Sequence, residues 1–349
     1  MKSDDRRLKI LQIVVDSYIR TGEPIGSKTV AALMNNEVSS ATIRNDMAML
    51  ERLGFLEQPH TSAGRIPTYL GYRIYINKLM RPSGLSEEEK HRIDTMLQRE
   101  KTSPHAVVEN ALEALAEVTG CAAVNTSNLP KFSVITKVEV VPAGRKLYAL
   151  LMITSTGEIK NKICRLEFDL NQEQLSFFEN LVKHELLGKN VEQLTPVTMQ
   201  NMAVALGSYM LSLSPLLYAI YELSDEISRQ QVEMKGERNL LRCRDFDAGE
   251  LIHFINTKNE IGKILSSAFD GINVVFGKET DTFTITNSSL ILSKYGSDHP
   301  MGSFGVIGPI RLDYSKIIPY MEYFSESVSR IIDNMMEEQK GALTDGEKK

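Results

Sequence analysis

The six residues from Ser40 to Asn45 carry side chains suited to reading a nucleic acid. Arg44 has the paired donors that match guanine O6 and N7, Asn45 can do the same for adenine, and the Ala41 methyl can touch a thymine methyl. Ser40 and Thr42 bring hydroxyls, and with the free N–H groups of a helix's first turn they suit phosphate. A second polar cluster follows. Pro59, His60, Thr61, Ser62, Ala63 and Gly64 make a turn-rich tip, and Arg65 with Ile66 leads the chain back. A hydroxyl-rich hairpin tip with one arginine is fitted to lie on a sugar–phosphate backbone or to reach a minor groove.

These side chains need elements to aim them. Arg6 to Arg20 reads as an amphipathic helix, with Leu8, Leu11, Val15 and Tyr18 on one face. Gly22 and Pro24 end it. A short second helix follows, with Ser27 as its expected cap and Val30, Ala31 and Met34 turned inward; Asn35 and Asn36 signal a turn. Ser39 or Ser40 then caps a third helix that runs to about Leu53, with Ile43, Met47 and Leu50 inside and Ala41, Asn45 and Arg52 on the opposite face. Phe55 to Gln58 reads as a short strand, so 55–66 is a hairpin that Pro67 ends. Tyr69, Tyr72, Ile76 and Leu79 mark a fourth helix. Together these elements predict a winged helix-turn-helix unit over residues 1–80, the third helix sized for a major groove.

Composition bounds the alternatives. With 42% apolar and 24% charged residues the chain has the make-up of a soluble globular protein, and 349 residues call for more than one domain. Residues 1–80 carry a net charge of +3 and the remainder −8, a mildly basic head on an acidic body that suits one face meeting an anion. Cys121, Cys164 and Cys243 are scattered and odd in number, which argues against a disulfide framework or a C-x-x-C motif. The six histidines lack metal-ligand spacing. There is no Walker loop, no G-x-S-x-G elbow and no defensible Cys–His pair, so neither an enzyme nor a cofactor is expected. The glycines between Gly302 and Gly308 are expected to serve strand packing. No signal peptide opens the chain, and a cytoplasmic location is expected. Gln193 to Tyr221 is free of charge, but its prolines and polar residues argue against a membrane helix.

One set of residues carries more than chemistry. The run from Ser40 to Gly54, that from Gln58 to Thr68, and Gly71 to Tyr75 closely resemble the heat-inducible transcription repressor family of bacteria, often written HrcA. Gly302 to Tyr314 resembles the same family's C-terminal signature. The resemblance implies a homodimer with three parts: the winged helix, a GAF-like α/β domain, and an inserted, largely helical dimerisation domain. It implies repression of chaperonin operons through the CIRCE inverted repeat in double-stranded DNA, activity lost on heat shock, and a GroE-type chaperonin that helps the repressor reach its active state. It also carries DNA contact over to Ser40, Ala41, Thr42, Arg44, Asn45, His60, Thr61, Ser62 and Arg65, residue by residue. A small-molecule-sensing regulator that uses the GAF-like domain is the alternative.

The rest of the chain is assigned around that plan as an α+β multidomain protein. Residues 81–85 are a linker, and Ser86 with Glu89 forms a capping box. Ser103 and Pro104 open another helix, and strands are expected at 133–141, 146–154 and 158–167, then at 272–276, 289–293 and 304–310, before a last helix over 315–336. The pattern does not say to which side the first three strands belong. The division adopted gives 86–170 and 260–340 to the GAF-like domain, 171–259 to the insertion, and 341–349 to a disordered tail. The uncharged stretch needs only apolar packing as a core element. As a subunit seam, which the family favours, it would present Met202, Ala203, Leu206, Gly207 and Met210 to a symmetric partner.

Overall fold

The computed structural model describes residues 3–60, 63–99, 102–128, 133–228, 232–297 and 300–346. Helix α1 (Ser3–Thr21) buries Ile10, Leu11, Val14 and Val15 and ends where Gly22 takes a left-handed turn at φ 71°. Helix α2 (Ser27–Leu33) is capped by Gly26 without a side-chain bond, so Ser27 is its first residue and not its cap as expected. Asn35 and Asn36 both have positive φ and make the turn to α3 (Ser40–Arg52). Ser39 is the true cap of α3: its hydroxyl accepts the Thr42 N–H at 3.2 Å. Strands β1 (Leu56–Glu57) and β2 (Ile66–Pro67) form the antiparallel wing, with Leu56 opposite Pro67. Helix α4 (Tyr69–Ile74) follows and continues as a wide turn over Tyr75–Leu79.

The next units are interleaved. Helix α5 (Glu87–Leu97) begins with the expected Ser86–Glu89 capping box, and α6 (Pro104–Thr119) is capped by Ser103. Strand β3 (Ala122–Ser127) comes next. The insertion comprises β4 (Ile135–Gly144), β5 (Leu147–Thr154), β6 (Ile159–Arg165), α7 (Gln172–Glu185), α8 (Pro196–Leu206) and α9 (Met210–Ser228). The chain returns through β7 (Val232–Lys235), α10 (Glu237–Arg242), α11 (Ala248–Thr257) and α12 (Gly262–Ser266). Strands β8 (Asn273–Phe276), β9 (Ser288–Tyr295) and β10 (Gly302–Pro309) and helix α13 (Tyr314–Gly346) complete it.

Two sheets separate what sequence periodicity could not. The order β7-β3-β10-β9-β8 is an antiparallel five-stranded sheet, the GAF-like α/β domain. Its central strand β10 is the glycine-rich segment, and a Cβ on Gly305 would stand 2.8 Å from both Leu290 and Val124 side chains. Strands β4, β5 and β6 form a sheet of their own, which packs one face on α7 and α9 around Leu150, Met152, Phe178, Val182, Leu216 and Ile220. The expected division at 171–259 is therefore corrected. The insertion starts with β4 and ends with α9, because the first three strands share a core with its helices. Residues 232–266 belong to the GAF-like domain: β7 pairs with β3, and Leu240, Leu251, Phe254, Ile261 and Leu265 pack beneath that sheet. The outer face of the small sheet leaves Val141, Ile159 and Ile163 exposed. The backbone of α13 stays helical to Gly346, past the expected start of a disordered tail at 341, and residues 347–349 lie outside the described residues.

The winged helix is not tethered loosely. One apolar core runs from Ile10, Leu11 and Ile43 through Tyr72 to Phe276, Tyr314, Met321 and Phe324. Tyr72 is fully buried, its ring 6.1 Å from Phe276 and 5.9 Å from Tyr314. Tyr69 stacks on Phe276 at 5.5 Å, and Arg73 lies over the same ring while pairing with Glu279. Gly71 lets α4 lie close against the start of the wing, since a Cβ there would stand 2.2 Å from the Phe55 carbonyl oxygen.

The insertion is joined to the GAF-like domain at the start of α6, where the His105 N–H donates to the Thr156 carbonyl at 3.2 Å. The His105 ring meets Glu233 of β7 at 3.4 Å, and this hydrogen bond raises the imidazole pKa above its ordinary value. Glu158 and Glu109 add to that effect. A raised histidine contributes stability that is complete below its unfolded pKa of about 6.5 and is lost as pH rises through the folded value. The urea midpoint of wild type should thus exceed that of His105→Gln near pH 6, and the two should converge at alkaline pH; a gap independent of pH would refute the assignment.

Candidate nucleic-acid interface

Helix α3 is held by its inner face and free on the other. Ile43, Met47 and Leu50 are buried, while Ala41, Arg44, Asn45 and Arg52 are exposed and Ser40 and Thr42 are half-buried. The Thr42 N–H is already taken by Ser39, and the two hydroxyls lie 2.9 Å apart, so Thr42 offers less to a phosphate than expected. The structure thus brings Ala41, Arg44 and Asn45 onto one solvent-facing surface at the start of the helix.

The inner side also carries a charge that periodicity did not flag. Asp46 is buried, and it accepts from Arg6 Nε at 2.6 Å and from Arg7 Nε at 3.3 Å. Its carboxylate ties the N-terminal turn of α1 to the helix just behind Asn45. Two adjacent arginines in α1 and one acid at an inward position of α3 were the only sequence signal. Linking them requires knowing that the two helices cross there.

The wing leaves from the far end of α3. Pro59 and His60 are exposed, Ala63 and Gly64 are half-buried, and Thr61 and Ser62 lie outside the described residues. Gln58 Nε2 donates to the Ala63 carbonyl at 3.0 Å across the base of the wing. Arg65 pairs with Ile25 through both backbone bonds, at 3.0 and 2.9 Å, which adds a third short strand beside the wing. A Cβ on Gly64 would stand 2.4 Å from the Ile25 carbonyl, so only glycine allows that approach. The Arg65 guanidinium turns toward α3. It is 20% exposed and bonds Glu51 of α3 at 2.8 and 3.0 Å. A cleft of about 390 Å³ remains between α3 and the wing, lined by Arg44, Arg65, Ser27, Gln58 and Gly64.

The expected subunit seam is partly corrected. Met202 and Leu206 are buried in the insertion's own core, because α8 packs against α7 and α9. Ala203 is half-buried, Gly207 is exposed at the break between α8 and α9, and Met210 opens α9, its side chain outside the description. The exposed apolar positions are Val197 and Val204 of α8, the latter 76% exposed, and Tyr218 of α9 at 63%. A shallow apolar groove of about 440 Å³ runs between these helices, lined by Pro196, Met199, Ala203, Leu217, Tyr218 and Tyr221.

Other residues offer little chemistry. Burial pushes the Cys121 thiol up to about 12, and the thiols of Cys164 and Cys243 are also raised by burial. Among the described residues no group of three or more His, Cys, Asp or Glu could hold a metal, and no helix is long and apolar enough to cross a membrane.

A helix with an exposed Ala/Arg/Asn face beside a wing, on a core shared with a larger regulatory body, defines a winged-helix DNA-binding regulator. Comparison with known proteins takes this further. Residues 4–80 match the winged helix-turn-helix transcription repressor family described as HrcA DNA-binding, and residues 105–318 match the HrcA protein C-terminal domain. The chain belongs to the family of heat-inducible transcription repressors HrcA. It is 32% identical to the heat-inducible transcription repressor HrcA of Acetivibrio thermocellus, covering 95% of this chain and 97% of that one. It is 31% identical to the same repressor of Ruminiclostridium cellulolyticum, over 96% of this chain and 100% of that one. A solved structure of a hypothetical protein superposes with a TM-score of 0.65 at 25% identity, covering 95% of this chain and 99% of that one.

Proposed function

We propose that this repressor binds an inverted-repeat CIRCE operator in double-stranded DNA as a homodimer and so silences class I heat-shock, chaperonin-encoding operons in the cytoplasm. The observation that carries this reading is the exposed Ala41–Arg44–Asn45 surface of α3 beside the wing. Arg44 and Asn45 read bases, Ala41 contacts a thymine methyl, and Ser40, Thr42, His60, Thr61 and Ser62 contact the backbone. A footprint on a promoter that carries an inverted repeat tests the whole. In titrations, Arg44→Ala should cost about 1–3 kcal/mol of operator affinity and relax preference at one base pair. An equal loss on random DNA would remove Arg44 from base reading.

A two-fold operator calls for a two-fold protein, each subunit taking one half-site. The uncharged surface of α8 and α9 is the proposed seam, through Val197, Val204 and Tyr218 in place of the buried Met202 and Leu206. Val204→Glu, at a site open enough not to disturb folding, should yield a monomer by sedimentation. A dimer that survives Val204→Glu but is lost in Ile163→Glu would move the seam to the outer face of the small sheet.

Heat acts through the active fraction. Apparent affinity falls in proportion to the population folded for DNA, so a GroE-type chaperonin that restores folded repressor raises operator occupancy. Support comes from the shared core of winged helix and GAF-like domain, which makes DNA competence depend on the folding of both. Depleting chaperonin in cells should lower occupancy, and unchanged occupancy would break the coupling.

A further inference from the structure

We propose that Glu51 and Arg65 form a strut that sets the wing's angle to the recognition helix, and that Arg65 is a positioning residue and not a phosphate ligand. The inference rests on the DNA-binding reading of α3 and refines it.

The geometry assigns the roles. Glu51 lies two helical turns beyond Arg44 on α3, and Arg65 is the residue that enters β2. Arg65 Nε donates to Glu51 Oε2 at 3.0 Å, and Nη2 lies in ion-pair contact with the same oxygen at 2.8 Å. The Arg65 backbone is fixed by its pair of bonds to Ile25, so the guanidinium has no slack in its anchor. Gly64 holds the wing against that strand, and Gln58 closes the wing on Ala63. These three contacts act within the wing and its neighbouring strand. The Glu51–Arg65 pair runs from the wing to α3 itself.

Charge supports the same role. A carboxylate on the same guanidinium offsets its charge, so a phosphate approaching Arg65 also approaches the Glu51 carboxylate, whose side chain is 35% exposed. Displacing Glu51 would exchange one charge-assisted pair for another and leave the acid facing an anion. Arg44 lines the same cleft with no such partner among the described contacts and is the better phosphate or base ligand there. Helix α3 therefore uses two carboxylates to fix its surroundings: Asp46 holds α1 from behind, and Glu51 holds the wing from the end.

The test is a salt series on the full-length protein, with an operator duplex and a random duplex of equal length as probes. The variants are Arg65→Ala, Glu51→Ala, the double variant, and the exchange of Glu51→Arg with Arg65→Glu. Tight wild-type binding of the operator checks the underlying reading separately. For a strut, each alanine variant weakens operator binding about threefold to tenfold, and the double variant is no weaker than either single one. The slope of log affinity against log salt stays at its wild-type value, because no phosphate contact is lost. The charge exchange recovers part of the loss, which also guards against variants that simply fold poorly. A slope reduced by about one in Arg65→Ala would overturn the proposal. So would tighter binding by Glu51→Ala, which would mean a freed cation, or an exchange variant no better than the double alanine.

Discussion

The structure depends on a phenol ring. Tyr72, at the end of the winged-helix unit, is sealed between Phe276 of the GAF-like sheet and Tyr314 at the start of α13. Burying an aromatic ring of that size is worth several times the energy of an exposed ion pair, roughly 1.5–3 kcal/mol against 0–1. Its hydroxyl finds no hydrogen-bond partner among the described residues, and burial raises the phenol pKa well beyond its usual range. A polar atom left without a partner offsets part of that gain. The ring therefore holds by packing alone, and the direction in which α3 points is inherited from the sheet beneath it.

That inheritance explains why the polar surface of α3 is free. Ile43, Met47 and Leu50 are consumed by the core, and the charges behind the helix are internally balanced: Asp46 by Arg6 and Arg7, Glu51 by Arg65. What remains uncommitted at the start of the helix is Ala41, Arg44 and Asn45. The helix is thus stiffened on every side but one, the arrangement that base readout requires, since a bidentate contact fails with small errors of orientation.

Local features were readable from the residues, and pairings were not. The helix-turn-helix, the wing and the Ser86–Glu89 box follow from apolar spacing and capping chemistry, which act over a few residues. Gly26 caps α2 one residue before Ser27 because both are good caps and only the backbone chooses. Strand β3 has no alternating signal because it is buried on both faces. The split between the two sheets was hidden because an alternating strand shows the same pattern whichever sheet it joins. Met202 and Leu206 show the same limit on a helix: a stripe marks a buried face and does not name what covers it. The Arg65–Glu51 pair spans two elements, and no local rule could join them.

The manner in which the insertion leaves and rejoins its host has an evolutionary consequence. Strands β3 and β7 are antiparallel neighbours, with Thr126 opposite Val232, so the whole module hangs where a hairpin would have a tight turn. Lengthening a closed loop tenfold costs only about 2 kcal/mol of chain entropy. A module with its own core can therefore be enlarged, trimmed or exchanged at that point without breaking the host's ladder. Changes on the module's surface would leave the DNA-reading head and its platform untouched.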